Sequence, residues 1–416
     1  MLEGEIIKFY RETSGLTQAQ LGHGICTATH VSKIERGKTA YSSDIIALFS
    51  ERLGIDIQKE MESLKGIDKQ LQHWHTAIIM QRRNMAKKIK EDLEASPLVG
   101  SSKYAAHYHL LKARYYILHQ EGNKANRIIK DIQKNHPDLT PYERNLLHHI
   151  QGIYYLNNYN NSSSEHQQKA IQVLKEINLN DYGNLEYYYH LAVAYHCIDS
   201  KVMAYRYAEK ALRYFKKTNN FLRAINAESL MLLQIGSDVY LDFKEMVERY
   251  ENLIHDSEML GALDKKGLLL NNLGYEYKKR KEYALAKKYF KQALLIEAET
   301  PISYLKRLNN YVDTCLEGKL SRKTTLLKKA KEGCSLAKQL DSKLYVTLFK
   351  LLIYRIENNM EQYYSFIEEM ALPQFQSSKH VLCINRYGKE LYDYYVDSDQ
   401  HLKALQLSKL FMGTIS

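Results

Sequence analysis

Apolar positions recur with a helical period almost from end to end of the chain, punctuated by short clusters of Gly, Asn, Asp and Ser. Ile6, Ile7, Phe9 and Tyr10 mark one face of a helix over about residues 3–14, closed at Gly15. Thr17 is a good N-cap for a short helix from Gln18 to about His23. Gly22 and Gly24 bracket a break, Thr27 or Thr29 offers a second cap, and Val31 and Ile34 give the next helix its apolar stripe before Gly37. Ser42 or Ser43 caps a further helix carrying Ile45, Ile46, Leu48, Phe49 and Leu53, stopped by Gly54. The spacing therefore predicts a compact all-α domain. Its helix pair within residues 16–38 has the geometry whose second member enters a DNA major groove.

The pattern then changes. Residues 70–95 contain no Gly or Pro and include Trp74, Ile78, Ile79 and Met85, which predicts one long linker helix. Its run Arg82, Arg83, Lys87, Lys88 is basic: a solvated face, a phosphate-binding surface, or a surface for an acidic protein. From residue 102 onward helix pairs repeat. The clearest unit, 267–300, has Leu270, Leu273, Gly274, Tyr277, Ala286, Phe290 and Ala293, the 34-residue tetratricopeptide pattern of large and small residues where two helices cross. Leu191, Ala192, Tyr195, Ala204, Ala208 and Ala211 form a second unit. Gly152, Tyr155 and Ala170 suggest another, with an insertion around 160–164. Degenerate pairs over 104–136, 221–256, 301–340, 344–372 and 380–412 bring the total to about eight. The expected architecture is all-α: a lambda-repressor-like helix-turn-helix domain (1–57), linker helices (58–100) and a right-handed tetratricopeptide superhelix (101–416).

The first helices of such an array line a groove that binds an extended peptide or a helix. Asn suits that role because its amide donates and accepts at once. Asn226, Asn271, Asn272, Asn309 and Asn310 fall on successive first helices. Arg223, His190, Tyr275 and Lys306 would add a carboxylate partner and aromatic walls. Each of these is also an ordinary polar helix residue, and most of the Tyr stripes belong to the core.

Composition sharpens this only in places. The net charge of +11 points to an anionic partner, yet in residues 1–57 six cations face seven acids. Placement matters more, because Lys33, Arg36 and Lys38 cluster on and after the second helix of the pair. Five Pro and 19 Gly over 416 residues favour helix nearly throughout, with each Pro expected between helices. Five widely spaced Cys with no CxxC read as reduced thiols of a cytoplasmic protein. No apolar run reaches membrane-spanning length, and the first residues are too charged for a signal peptide. Gly-rich phosphate loops, HExxH and GxSxG are absent. His73 with His75, and His148 with His149, diverge on a helix, so neither an enzyme nor a metal or cofactor site is expected.

The N-terminal segment resembles the lambda-repressor-like (XRE) helix-turn-helix family. Its pattern is carried by Arg11, the run Gly15, Leu16, Thr17, Gln18, Ala19, Gln20, Leu21, Gly22, and the run Ser32, Lys33, Ile34, Glu35, Arg36, Gly37, Lys38. The resemblance implies that Arg11 and Glu35 brace the domain. It implies base contacts from Gln18, Ala28, Thr29, His30 and Lys33, with phosphate contacts from Thr17, Arg36 and Lys38. Ala28 has no side-chain hydrogen bond to offer a base, and Tyr41–Ser42 stands where the family usually has Pro. With linker and repeats in this order, the whole chain resembles the peptide-pheromone receptors of Gram-positive bacteria, the Rap–NprR–PlcR–PrgX group with the Rgg proteins, and its length is most like NprR. That resemblance implies a cytoplasmic quorum-sensing transcription regulator, dimeric or of higher order, that binds double-stranded DNA and a short re-imported peptide. It also admits a second reading, an adaptor that binds and inhibits a protein of a sporulation phosphorelay.

Overall fold

The computed structural model describes residues 2–39, 41–96, 98–100, 103–157, 165–236, 242–298, 300–378 and 380–412, and every regular element among them is helical. The chain forms two compact units, residues 1–150 and 151–416.

The first unit begins with α1 (Leu2–Thr13), α2 (Gln18–Gly22), α3 (Ala28–Glu35) and α4 (Ser43–Leu53). The starts of α2, α3 and α4 are set by Thr17, Thr27 and Ser42, whose hydroxyls accept the N–H of Gln20, His30 and Ile45. Ile6, Ile7, Leu21, Val31, Ile34 and Phe49 are buried between the four helices. Gly4 is required where α1 crosses the end of α3, since a Cβ there would lie 2.3 Å from the Ile34 carbonyl oxygen. The unit continues with α5 (Ile57–Ile79), α6 (Arg83–Glu94), α7 (Ala105–Leu118) and α8 (Gly122–Asn135), and α9 starts at Pro141. Trp74 of α5 is fully buried and stacks on Tyr108 of α7, centroids 5.8 Å apart.

The expected single linker helix is two. The break falls at Gln81, held at φ 57, where the Arg82 N–H closes back onto the Ala77 carbonyl at 2.9 Å. This is a Schellman turn built without glycine. It recurs at Gln120, Asp199, Asn219, Lys281, Lys319, Asp341, Asn358 and Asp399, each with positive φ. A left-handed residue other than Gly costs about 1–2 kcal/mol. The extra carbonyl closure and the packing of the next helix offset that cost, so no sequence marker was needed. Helices α5 and α6 are thus a hairpin of the same kind as the repeats.

The second unit pairs α10 (Glu165–Lys175) with the end of α9 (Pro141–Asn157), and the short α11 (Leu179–Tyr182) follows. The expected insertion near 160–164 lies outside the described residues. Then come α12 (Tyr187–Cys197) with α13 (Lys201–Lys217), α14 (Phe221–Ile235) with α15 (Phe243–Met259), and α16 (Leu263–Lys279) with α17 (Tyr283–Leu295). Next are α18 (Pro301–Glu317) with α19 (Lys323–Gln339), α20 (Lys343–Glu357) with α21 (Met360–Phe366) and α22 (Leu372–Ser377), and α23 (Val381–Asp397) with α24 (His401–Met412). The small residues of the repeat pattern sit at helix crossings. A Cβ on Gly274 would lie 3.0 Å from the Phe290 ring, and one on Gly152 would lie 2.5 Å from Leu174. First helices α12, α14, α16, α18 and α20 also pack each on the next, forming one continuous wall.

One proline departs from expectation. Pro373 lies inside a helical run rather than between helices: Ile367–Ala371 adopts a π turn that joins α21 to α22. Widening that turn lets the Leu372 N–H reach the Ile367 carbonyl, and the helix passes a residue with no N–H to give.

Candidate functional site

In the helix-turn-helix, local capping fixes the short helices and a buried charge fixes their mutual placement. Arg11 Nε donates to Glu35 Oε1 at 2.5 Å and Nη2 to Oε2 at 3.2 Å, while Nη1 reaches the Leu16 carbonyl at 2.8 Å. Both partners are buried. The Glu35 contact raises the Arg11 pKa, so the pair is ionised at any working pH. Arg52 of α4, which the sequence pattern did not single out, donates to the carbonyls of Leu21 and His23 at 2.8 and 2.5 Å. It caps the end of α2 and so sets the turn between the two helices. A basic residue in the last turn of α4 was the only signal of it.

The DNA-side residues separate into two groups. Gln18 is drawn inward: its Nε2 donates to Glu35 Oε2 at 2.7 Å, so it belongs to the brace as well as to the surface. Thr17 is the N-cap of α2 in a reciprocal capping box with Gln20, whose Oε1 accepts the Thr17 N–H at 2.8 Å. Ala28 and His30 are half-buried on α3. Thr27, not Thr29, caps α3, which leaves Thr29 exposed in its first turn together with Lys33 one turn on. Arg36 and Lys38 flank them, also exposed.

The groove residues divide in the same way. Asn271 accepts from Asn310 at 3.0 Å and Asn272 donates to Ser229 at 3.2 Å, so these amides bridge neighbouring first helices. Asn226 and Asn309 are also buried. Arg223, expected as a partner for a ligand carboxylate, is corrected: its guanidinium donates to Glu186 at 3.1 Å, with both side chains buried. His190 is likewise buried, edge-on to Tyr189, rather than presented to the groove. Burying an arginine without a counter-charge is so unfavourable that Glu186 and Arg223 read best as a brace between α12 and α14. Tyr275 and Lys306 stay accessible. The wall they line is concave, because side chains three first helices apart face each other. Lys306 of α18 lies within electrostatic reach of Cys197 and His196 on α12, and Tyr275 of α16 within reach of Cys383 and Arg386 on α23.

Sequence reasoning missed the largest polar cluster. Asp313 of α18 is almost fully buried and accepts from Lys278 of α16, from Arg355 of α20 at 3.1 Å and from Arg386 of α23 at 2.8 Å. Glu317, one turn on, lies 3.3 Å from Lys278 and 3.2 Å from Arg386. Burial disfavours charge on Asp313, but the three cations outweigh it and hold the carboxyl well below its usual range. The partners are scattered over four helices, so no motif announces them.

Residues 7–59 match the helix-turn-helix family HTH_3. The transcriptional activator NprA of Geobacillus stearothermophilus is 22% identical over 413 residues, covering 94% of this chain and 97% of that protein. NprR in complex with its cognate peptide NprX has TM-score 0.70 at 18% identity, covering 85% of this chain and 100% of that one. A Rap protein complexed with competence and sporulation factor has TM-score 0.71 at 15% identity, covering 84% and 98%. No described helix is long and apolar enough to cross a membrane. The chain therefore opens with an XRE-type helix-turn-helix domain and is homologous to the NprR and Rap proteins, whose helical fold it shares.

Proposed function

We propose that this protein is a cytoplasmic, peptide-responsive transcription regulator, a binding protein rather than an enzyme. It reads double-stranded DNA with α3 and binds a short signalling peptide in the groove of its repeats, acting as a homodimer or higher homo-oligomer. The observation that carries this reading is the pairing of the two modules in one chain. An internally braced helix-turn-helix exposes Thr29 and Lys33, and a concave wall keeps Tyr275 and Lys306 open. Thr29 and Lys33 contact base edges, with Ala28 and His30 beside them, and Thr17, Arg36 and Lys38 hold phosphates. Gln18 contributes through the orientation that Glu35 imposes on it. Asn226, Asn271, Asn272 and Asn309 shape the groove floor, and the peptide acts by binding one arrangement of the repeats better than another. The relatives support this reading, being a transcriptional activator and a receptor solved with its peptide.

The test is a selection of genomic fragments by the full chain, followed by gel shifts of the recovered sequence with and without synthetic heptapeptides. Sequence-selective binding that a peptide alters supports the proposal. Binding insensitive to the Thr29→Ala, Lys33→Ala double variant refutes the DNA assignment. The adaptor reading draws on the Rap likeness and on the exposed basic face of α6, with Arg83, Lys87 and Lys88. Salt-sensitive capture of an acidic signalling protein, with no DNA selected, would favour it.

A further inference from the structure

Cations of the groove wall are met by the protein's own groups, with one exception. Lys278, Arg355 and Arg386 converge on Asp313 and Glu317, and Arg223 meets Glu186. Lys279 sits 2.5 Å from Glu276, and Arg307 donates to the Ala293 and Ile296 carbonyls at 2.9 and 3.0 Å. Lys306 is the exception: among the described residues its ammonium makes no hydrogen bond and no ion pair. The groups that face it are the Cys197 thiol, the Arg307 guanidinium and the His196 imidazole, and none is an acid. His196 is itself engaged with Gln234 of α14, at 3.1 Å.

Lys306 is nevertheless not a surface lysine in bulk water. It keeps accessible area while protein surrounds it, the situation of a side chain on the inside of a concavity. Enclosure lowers its pKa, the Cys197 thiol opposes that, and Arg307 adds to it. An ammonium partly stripped of water with no counter-charge destabilises the empty protein, and an anionic ligand group recovers that energy on binding.

We propose that Lys306 is the anion-reading point of the groove: it receives a carboxylate of the bound peptide, from an acidic side chain or from the free C-terminus, so the cognate ligand is an acidic peptide. This rests on the peptide-binding reading and adds the charge of the ligand. Lys306 acts by attraction in an enclosed site, so a neutral peptide of the same shape binds more weakly.

The experiment uses the full chain and four pools of random heptapeptides: one central position fixed as Asp or as Asn, each made as free acid and as C-terminal amide. Affinity selection with mass-spectrometric readout compares wild type with Lys306→Met and Lys306→Arg. Wild type should enrich at least one carboxylate-bearing pool about tenfold over its neutral counterpart, the equivalent of about 1.4 kcal/mol. Loss of preference between Asp and Asn in Lys306→Met identifies a side-chain carboxylate; loss between acid and amide identifies the C-terminus. Lys306→Arg should keep the preference. Equal enrichment of acidic and neutral pools by wild type, or an unchanged preference in Lys306→Met, overturns the proposal while leaving the groove reading intact. No enrichment from any pool overturns the groove reading itself, and this proposal with it. A second readout needs no ligand: Lys306→Met should melt a few degrees above wild type, and a lower melting temperature would show that Lys306 has a structural partner.

Discussion

The helix-turn-helix and the repeat groove use the same ingredients in opposite arrangements. In the first, Arg11, Gln18 and Glu35 close on one another inside, and the groups left outward, Thr29 and Lys33, stand on a convex helix face. In the second, the paired groups form the floor and lower wall, and the open groups, Tyr275 and Lys306, look into a hollow. A convex reader meets its partner in water and gains mostly geometry and screened charge. A concave one works partly desolvated, where a single charge discriminates more strongly.

That contrast is breakable, first at the brace. Arg11→Ala leaves Glu35 buried and uncompensated and should cost about 3–5 kcal/mol, read as a fall in the urea midpoint of the N-terminal domain. A loss below 1 kcal/mol would mean that the brace is dispensable and that capping alone builds the domain. On the repeat side, Arg307→Ala removes two charge-assisted bonds to the end of α17 and should cost about 2–3 kcal/mol in the same measurement. The convex surface should behave differently. Thr29→Ala with Lys33→Ala should weaken operator binding by about 1–3 kcal/mol in a gel shift while stability stays within about 0.5 kcal/mol.

The smallest effect is on pH. Burial lowers the pKa of His107, against the nearby carboxylates of Glu143 and Asp68. Burial, aided by His136 and Lys112 and opposed by Asp131, lowers that of His109. Both imidazoles are therefore neutral when folded but protonate near their ordinary pKa when unfolded. Stability is full above about pH 6.5 and falls as pH drops through 6 toward 5. Thermal melts over that range should show a slope that a His107→Gln, His109→Gln double variant flattens. Glu94 works on the same side of the scale but lower. Its burial is outweighed by hydrogen bonds from Lys112 and Lys90, which hold it at about 2, so its contribution persists to pH 5 and is lost only in stronger acid.

What the sequence disclosed follows this division between near and far. Caps, apolar stripes and the Arg11–Glu35 pair are legible because they lie within a few turns or in a compact motif. The choice of Thr27 over Thr29 as cap was not, since both spacings fit. The two-helix form of residues 57–94 escaped notice because Gln81 carries the turn without glycine. In the repeats, the first-helix assignment of the Asn residues followed from periodicity. Which amides face a neighbouring helix depends on helix rotation, which one sequence does not fix. Arg223 was misplaced for the same reason: Glu186 lies at the start of another helix, and only packing brings them together.

Asp313 has a consequence beyond charge balance. One carboxylate ties α18 to α16, α20 and α23 at once, so none of those helices can slide or roll against α18 without lengthening a contact to the same two oxygens. That half of the wall is mechanically a single plate with a rivet in it. A displacement imposed at α23 is felt at α16 directly, without passing through the intervening second helices.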